Sequence, residues 1–320
     1  MRVVIIGGTG HIGTYLTPRL VEAGFDVICV SRGLKEPYRS DVAWERVRRV
    51  DMDRTAEEEA GNFGERIAGL DAEVVIDITC YLPGSAIQLR ESLRGRVGHF
   101  LHCGTIWVHG HSVEVPTTEL AQRVPFGEYG IRKAEIERYL LGEAREHGFP
   151  VTVLHPGHLV GPGWNPINPQ GNFDPGVFST IARGEQIALP NLGMETVHHV
   201  HADDVAQAFV QAIMHRDVAV GESFHVVSPA ALTLRGYAEG MFDFFQKPGR
   251  MRFLPYDEWA ATVSEKYART TLDHISHSPN CSIAKARELL GYTPRYSSLR
   301  AVQEAVGWLV QAGIVGTDQA

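Results

Sequence analysis

The sequence predicts a doubly wound α/β fold, a parallel sheet covered by helices on both faces, with a smaller carboxyl-terminal lobe woven back into it. Three observations carry this. Short apolar runs alternate with helix-like segments over residues 1–160. The runs are continuously apolar rather than alternating, as in strands buried on both faces. After Gly157 the texture changes to Pro, Gly and Asn at high density, and a further strand and several helices follow.

In chain order, "RVVIIGG" reads as a first strand, "TYLTPRLVEAG" as a helix and "DVICVSRG" as a second strand. "RVRRVDMD", a Glu-rich helical stretch and "AEVVIDITCY" come next, then "HFLHCGTIWV", a helix around Tyr129, and "PVTVLHPG". Strands alternating with helices give a parallel sheet. "GPGWNPINPQGNFDPG" excludes a regular element and reads as a functional loop. The domains are thus a nucleotide-binding unit over 1–160 and a mostly substrate-binding lobe over 161–320. A strand at about 223–228 and a helix at about 203–214 return to the main unit.

Hydrophobic residues make up 44% and the formal net charge is -8, with no basic face for a nucleic-acid partner. Cys29, Cys80, Cys103 and Cys281 lack CxxC spacing, which suits a reducing compartment without disulfides. No apolar run reaches the ~20 residues that cross a bilayer. The chain opens on a strand, so no signal peptide is expected. A cytoplasmic protein with a small-molecule substrate is the expectation.

"VVIIGGTGHIGTYL" places Gly7, Gly10 and Gly13 between the first strand and the first helix. Such glycines permit a tight turn, close approach of backbone to a pyrophosphate, and close helix–strand packing. The helix amino terminus then offers N–H groups and a positive dipole end. An acidic residue at the end of the second strand would favour NAD; Ser31 and Arg32 stand there instead, and Arg suits a 2′-phosphate. NADP is the expected cofactor, with NAD as the alternative.

In "EYGIRKAEIERYL", Tyr129 and Lys133 are four apart and share a helix face. A free tyrosine has a pKa of about 10. A nearby ammonium favours the phenolate, which can then take a proton from an alcohol as hydride leaves.

Together, the glycine motif, Tyr129-Gly130-x-x-Lys133, "VHHVHADDVAQAF" and "CSIAKARELLGYTPRYSSLRAV" resemble the extended short-chain dehydrogenase/reductases, the NAD-dependent epimerase/dehydratase family, over nearly the whole chain. The resemblance implies a Rossmann fold with Thr9, His11 and Ile12 joining the glycines at the cofactor. It implies that Thr105 is a third catalytic hydroxyl and that Lys133 also holds the nicotinamide ribose. By the same resemblance Asp51 and Met52 meet the adenine, Thr79 and Cys80 line the groove, and Pro156 and Gly157 approach the nicotinamide. Dimerisation through two long helices is implied as well.

The chain departs from its relatives at two places. Sugar-nucleotide dehydratases carry Asp-Glu after the catalytic threonine, where this chain has Ile106 and Trp107, so simple redox at a carbinol carbon is expected. His155 and His158 stand where many sugar-nucleotide members have Arg and Asn. Tyr81, Trp107, His109 and His158 are expected near the cleft, a wall suited to a smaller or less anionic substrate. In "ETVHHVHADD", the crowded histidines fit a strand entering a helix capped by Asp203 or Asp204 better than a metal site. Two alternatives to an oxidoreductase follow: a sugar-nucleotide 4-epimerase acting through a transient ketone, and a dinucleotide-sensing or RNA-associated protein like the chloroplast stem-loop binding group.

Overall fold

The computed structural model describes residues 1–317. Its main sheet is built from β1 (Arg2–Ile6), β2 (Asp26–Ser31), β3 (Arg48–Asp51), β4 (Val74–Asp77), β5 (His99–Cys103) and β6 (Val151–Pro156). After the lobe's short strands β7 (His158–Val160), β8 (Ile187–Pro190), β9 (Thr196–Val197) and β10 (His199–His201), the chain returns as β11 (Ser223–Val226). The seven main strands are parallel in the order β11-β6-β5-β4-β1-β2-β3. The order reverses at β1, whose two neighbours are β2 and β4.

The helices are α1 (His11–Glu22), α2 (Arg54–Glu59), α3 (Phe63–Ala68), α4 (Pro83–Leu93), α5 (Gly127–His147), α6 (Gly176–Ala182) and α7 (Ala202–Met214), followed by others in the lobe. One core lies between the sheet and α1 with α7, through residues such as Leu16, Leu20 and Phe209. A second lies on the opposite face against α3, α4 and α5, through Phe63, Leu89, Ile136 and Leu140. Covering on both faces explains why Val3, Val4 and Ile5 of β1 are all apolar and all buried. A third core fills the lobe around Phe178, Tyr237 and Met241.

α5 ends where Gly148 enters the left-handed region at φ +67°, with its N–H on Ala144 O and the next N–H on Glu143 O. Glycine is suited to that position because it has no Cβ to clash. At α7 the cap differs from the sequence reading. His201 Nδ1, not Asp203 or Asp204, accepts from the Asp203 N–H at 3.0 Å. Asp203 instead forms a two-pronged pair with Arg19 at 2.7 Å each. Asp204 accepts the N–H groups of Arg295 and Tyr296 at 2.7 and 3.1 Å. Both carboxylates are thus taken by long-range partners, and the imidazole fills the vacated role. Among the described residues no helix is long and apolar enough to cross a membrane.

Candidate active site

The carboxyl ends of the central strands lie in register: Ile6 beside Asp77, Asp77 beside His102, and Cys103 beside Leu154. The segments leaving them open onto one crevice at the reversal of strand order, where such folds bind ligands. The crevice has two chambers of about 400 Å³ each, with Tyr81 lining both.

The first chamber belongs to the glycine turn. Gly7 sits at φ +91°, and a Cβ there would come within 2.5 Å of Thr79 Cγ2. A Cβ on Gly13 would stand 2.2 Å from Gly8 O, so α1 and the turn touch through bare backbone. Gly10 precedes α1 without a side-chain cap, leaving the first-turn N–H groups to the groove. Thr9, Ser31, Arg32, Met52 and Thr79 complete the wall. This groove of bare backbone, where a Cβ at Gly7 would strike the Thr79 wall, fits a dinucleotide.

We expect Gly13→Ala to push α1 from the turn. Overpacking of this kind costs roughly 1–3 kcal/mol. Thermal unfolding and a nicotinamide-cofactor titration should both deteriorate; unchanged cofactor affinity would contradict the close-approach argument.

Two residues expected at the cofactor stand beside the groove and not in its wall. Asp51 is outside the chamber's lining, with its carboxylate packed against Gly33, where a Cβ would meet the carboxyl carbon at 2.8 Å. The next residues, Met52 and Asp53, line the groove in its place. The Cys80 side chain is fully buried behind the wall.

The second chamber is formed by α5, the segment after β5, the β6–β7 turn and the lobe. Tyr129 is 42% exposed as a residue, but its phenol end points among Tyr81, Trp107 and Thr105. Burial of that end raises its pKa above the ordinary tyrosine value, while the nearby Thr105 hydroxyl works the other way. Thr105 also caps the short 3₁₀ turn Ile106–His109, its Oγ1 accepting from the Trp107 N–H at 3.3 Å. Lys133 is 2% exposed, and its Nζ donates to Cys80 O at 2.8 Å and Cys103 O at 2.7 Å. The Tyr81 ring lies 4.9 Å from the same Nζ. Burial lowers the Lys133 pKa.

His11, Ile12, Pro156, Gly157, Trp107 and His158 line this chamber too. His11 stacks on Trp164 at 5.0 Å, and burial pushes its pKa down to about 4, so a neutral ring stands between the glycine turn and the chamber.

His109 does not reach the cleft. A 3₁₀ turn has three residues per turn, so the residue two beyond Trp107 points about 240° away. Its Nε2 is buried 2.7 Å from His225 Nε2.

Glu137 lies one further turn along the Tyr129–Lys133 face of α5 and anchors the site from behind. His155 Nδ1 accepts the Thr105 N–H at 3.0 Å, and its Nε2 donates to Glu137 at 2.9 Å. Arg123 holds the same carboxylate through two nitrogens at 2.8 and 3.2 Å. Burial opposes ionisation of Glu137, but His155 and Arg123 overcome it and hold the pKa far below the usual carboxylate range.

The histidines of "ETVHHVHADD" separate. His198 is bonded to Ser228 O and the Cys281 N–H, His201 caps α7, and His199 is buried in the lobe. Asp77, Cys80 and His102 do converge, with ligand atoms within 4.8 Å. Asp77, however, is taken by Arg54 at 2.7 and 3.0 Å and by the Thr79 N–H. With the Lys133 ammonium also close by, a cation there would meet positive charge on two sides.

The sequence reading missed Trp164, Phe173 and His274, all lining the second chamber. They arrive from the irregular loop and the helix Glu265–His277, and only the Pro/Gly/Asn density of the loop signalled any of them.

Residues 3–226 match the sequence profile of the NAD dependent epimerase/dehydratase family. The chain is 26% identical to the 2′-dehydrokanamycin reductase of Streptomyces kanamyceticus over 265 residues, 83% of this chain and 72% of that protein. It is 22% identical to the chloroplast stem-loop binding protein of 41 kDa b of Arabidopsis thaliana, covering 95% of this chain and 78% of that protein. Its fold is similar to that of the UDP-glucose 4-epimerase of Thermotoga maritima, solved with UDP-glucose, at a TM-score of 0.73 and 22% identity over 98% and 99% of the two chains. On the extent of the profile match and the shared fold, the chain belongs to the NAD dependent epimerase/dehydratase family.

Proposed function

We propose that the protein is an oxidoreductase that moves a hydride between a nicotinamide and an alcohol or ketone carbon of a small molecule, with Tyr129 as acid and base. One arrangement carries the reading: Tyr129, Thr105 and Lys133 line one cleft, and that cleft adjoins the glycine-turn groove through Tyr81. When bound, the nicotinamide supplies or accepts the hydride. In reduction the Tyr129 O–H proton passes to the carbonyl oxygen as the carbon gains hydride. In oxidation the phenolate takes the carbinol O–H proton as the C–H electron pair leaves with its hydrogen. Thr105 hydrogen-bonds the same substrate oxygen, and the Lys133 ammonium supports the negative charge that develops nearby.

NADP is the proposed cofactor because Arg32 lines the first chamber at the end of β2. Charge-assisted hydrogen bonds are worth about 1.5–3 kcal/mol. Arg32→Ala should therefore weaken NADPH binding roughly tenfold or more and spare NADH; equal losses for both would remove the assignment.

The likeness to a UDP-glucose 4-epimerase supports a second reading, interconversion of epimers with the cofactor recycled in place. The test is to follow nicotinamide absorbance while products are separated. A net absorbance change with a carbonyl panel supports the oxidoreductase. Epimer formation at constant absorbance supports the epimerase and overturns it.

A further inference from the structure

The half of the cleft beyond Tyr129 is lined by neutral groups. Trp107, His158, Trp164, Phe173 and His274 form its walls. Among the described residues lining it there is no carboxylate and no guanidinium, and its one ammonium, Lys133, is tied to two backbone carbonyls. The two outer imidazoles are built in uncharged. His158 Nε2 is buried without a hydrogen-bond partner. His274 is 5% exposed and its Nδ1 lies 2.8 Å from Gly171 O, so a neutral ring donates there and keeps Nε2 as an acceptor. The rings stand 5.2 Å apart, edge to face, and both meet Trp107, at 6.1 and 5.4 Å. Burial, with neighbouring histidines, keeps both from taking up a proton at neutral pH.

An aromatic wall with two neutral imidazoles set edge to face is the kind of lining that orients an uncharged, hydroxyl-bearing ring. A diphosphate entering this space would lose water without gaining cationic partners, and a polyamine would find no carboxylate. We propose that the site takes an uncharged polyhydroxylated ring alcohol or its ketone, packed on Trp107, with a hydroxyl read by His158 and His274. Nucleotide diphosphates and polycations are excluded from it. The assignment rests on the oxidoreductase reading above.

The full chain, loaded in turn with NADP⁺ and NAD⁺, is offered myo-inositol, trans-1,2-cyclohexanediol, UDP-glucose and kanamycin. Nicotinamide reduction is followed for each, with chromatography for the C4 epimer of UDP-glucose. The expected result is turnover of at least one neutral alcohol, with kcat/KM roughly tenfold or more above both charged probes. His158→Leu and His274→Leu should each raise KM for that alcohol about tenfold and leave cofactor binding within about twofold, while His274→Gln, which keeps an acceptor, recovers part of the loss. Preference for UDP-glucose or kanamycin overturns the proposal. So does silence on both neutral alcohols in protein that binds cofactor, or indifference of KM to both leucine variants. Failure to bind either cofactor would instead strike the oxidoreductase reading, so the two failures are distinguishable.

Discussion

Tyr129→Phe is expected to lower kcat by roughly 10²–10⁴-fold, the range a positioned acid/base contributes. Cofactor affinity should change little, because the ring stays in contact with Tyr81 and Trp107 and only the phenolic oxygen is lost. Stopped-flow measurement of a single turnover together with cofactor titration separates the two effects. The pH dependence supplies an independent check. Burial raises the phenol's pKa, so without a bound cation Tyr129 is protonated at neutral pH and ready to donate. Carbonyl reduction should therefore hold steady across neutral pH, and alcohol oxidation should climb on the alkaline side. An oxidation rate independent of pH, or a fully active phenylalanine variant, would remove Tyr129 from the chemistry.

Glu137→Leu is expected to be the most damaging substitution to stability. The carboxylate is 4% exposed and satisfies both Arg123 and His155, so its loss leaves a guanidinium partly buried without its counter-charge. Breaking such a pair costs roughly 3–5 kcal/mol. Thermal denaturation of Glu137→Leu and Glu137→Gln tests this: the glutamine should lose less, since its amide oxygen still accepts from His155. A depressed carboxylate stabilises the fold above its unfolded-state pKa, about 4.5, and that contribution is lost as pH falls further. The wild type should therefore lose stability below about pH 4.5 more steeply than Glu137→Gln. Parallel acid-unfolding curves would exclude the carboxylate as the source. The His155 bond to the Thr105 N–H extends the damage to the site, so the leucine variant, which frees His155, should also turn over more slowly than the glutamine variant at temperatures where both remain folded.

The parts of this arrangement that sequence makes legible are local ones. The glycine turn and the Tyr129–Lys133 spacing depend on a few consecutive residues, and the alternation of apolar runs with helices gives the parallel sheet. What stays hidden depends on distant partners. Asp203 reads as a cap until Arg19, 184 residues earlier, claims it. His109 reads as a neighbour of Trp107 until the 3₁₀ turn aims it at His225. His274 carries no local signal, because a histidine near the end of an amphipathic helix reads as a core or surface residue until that helix closes over the cleft. Asp51 reads as a groove residue at the end of its strand, and only the fold turns its carboxylate onto Gly33.

Lys133 is held through the carbonyls of residues 80 and 103 and not through their side chains. Any amino acid supplies a carbonyl, so the anchorage of this ammonium is encoded in the path of the chain. Descendants of this sequence could exchange either cysteine for another residue of similar volume without disturbing the charge. The lysine itself has no such latitude, since a shorter or bulkier side chain would leave the end of β5 and the segment after β4 with unanswered carbonyls beneath the cleft.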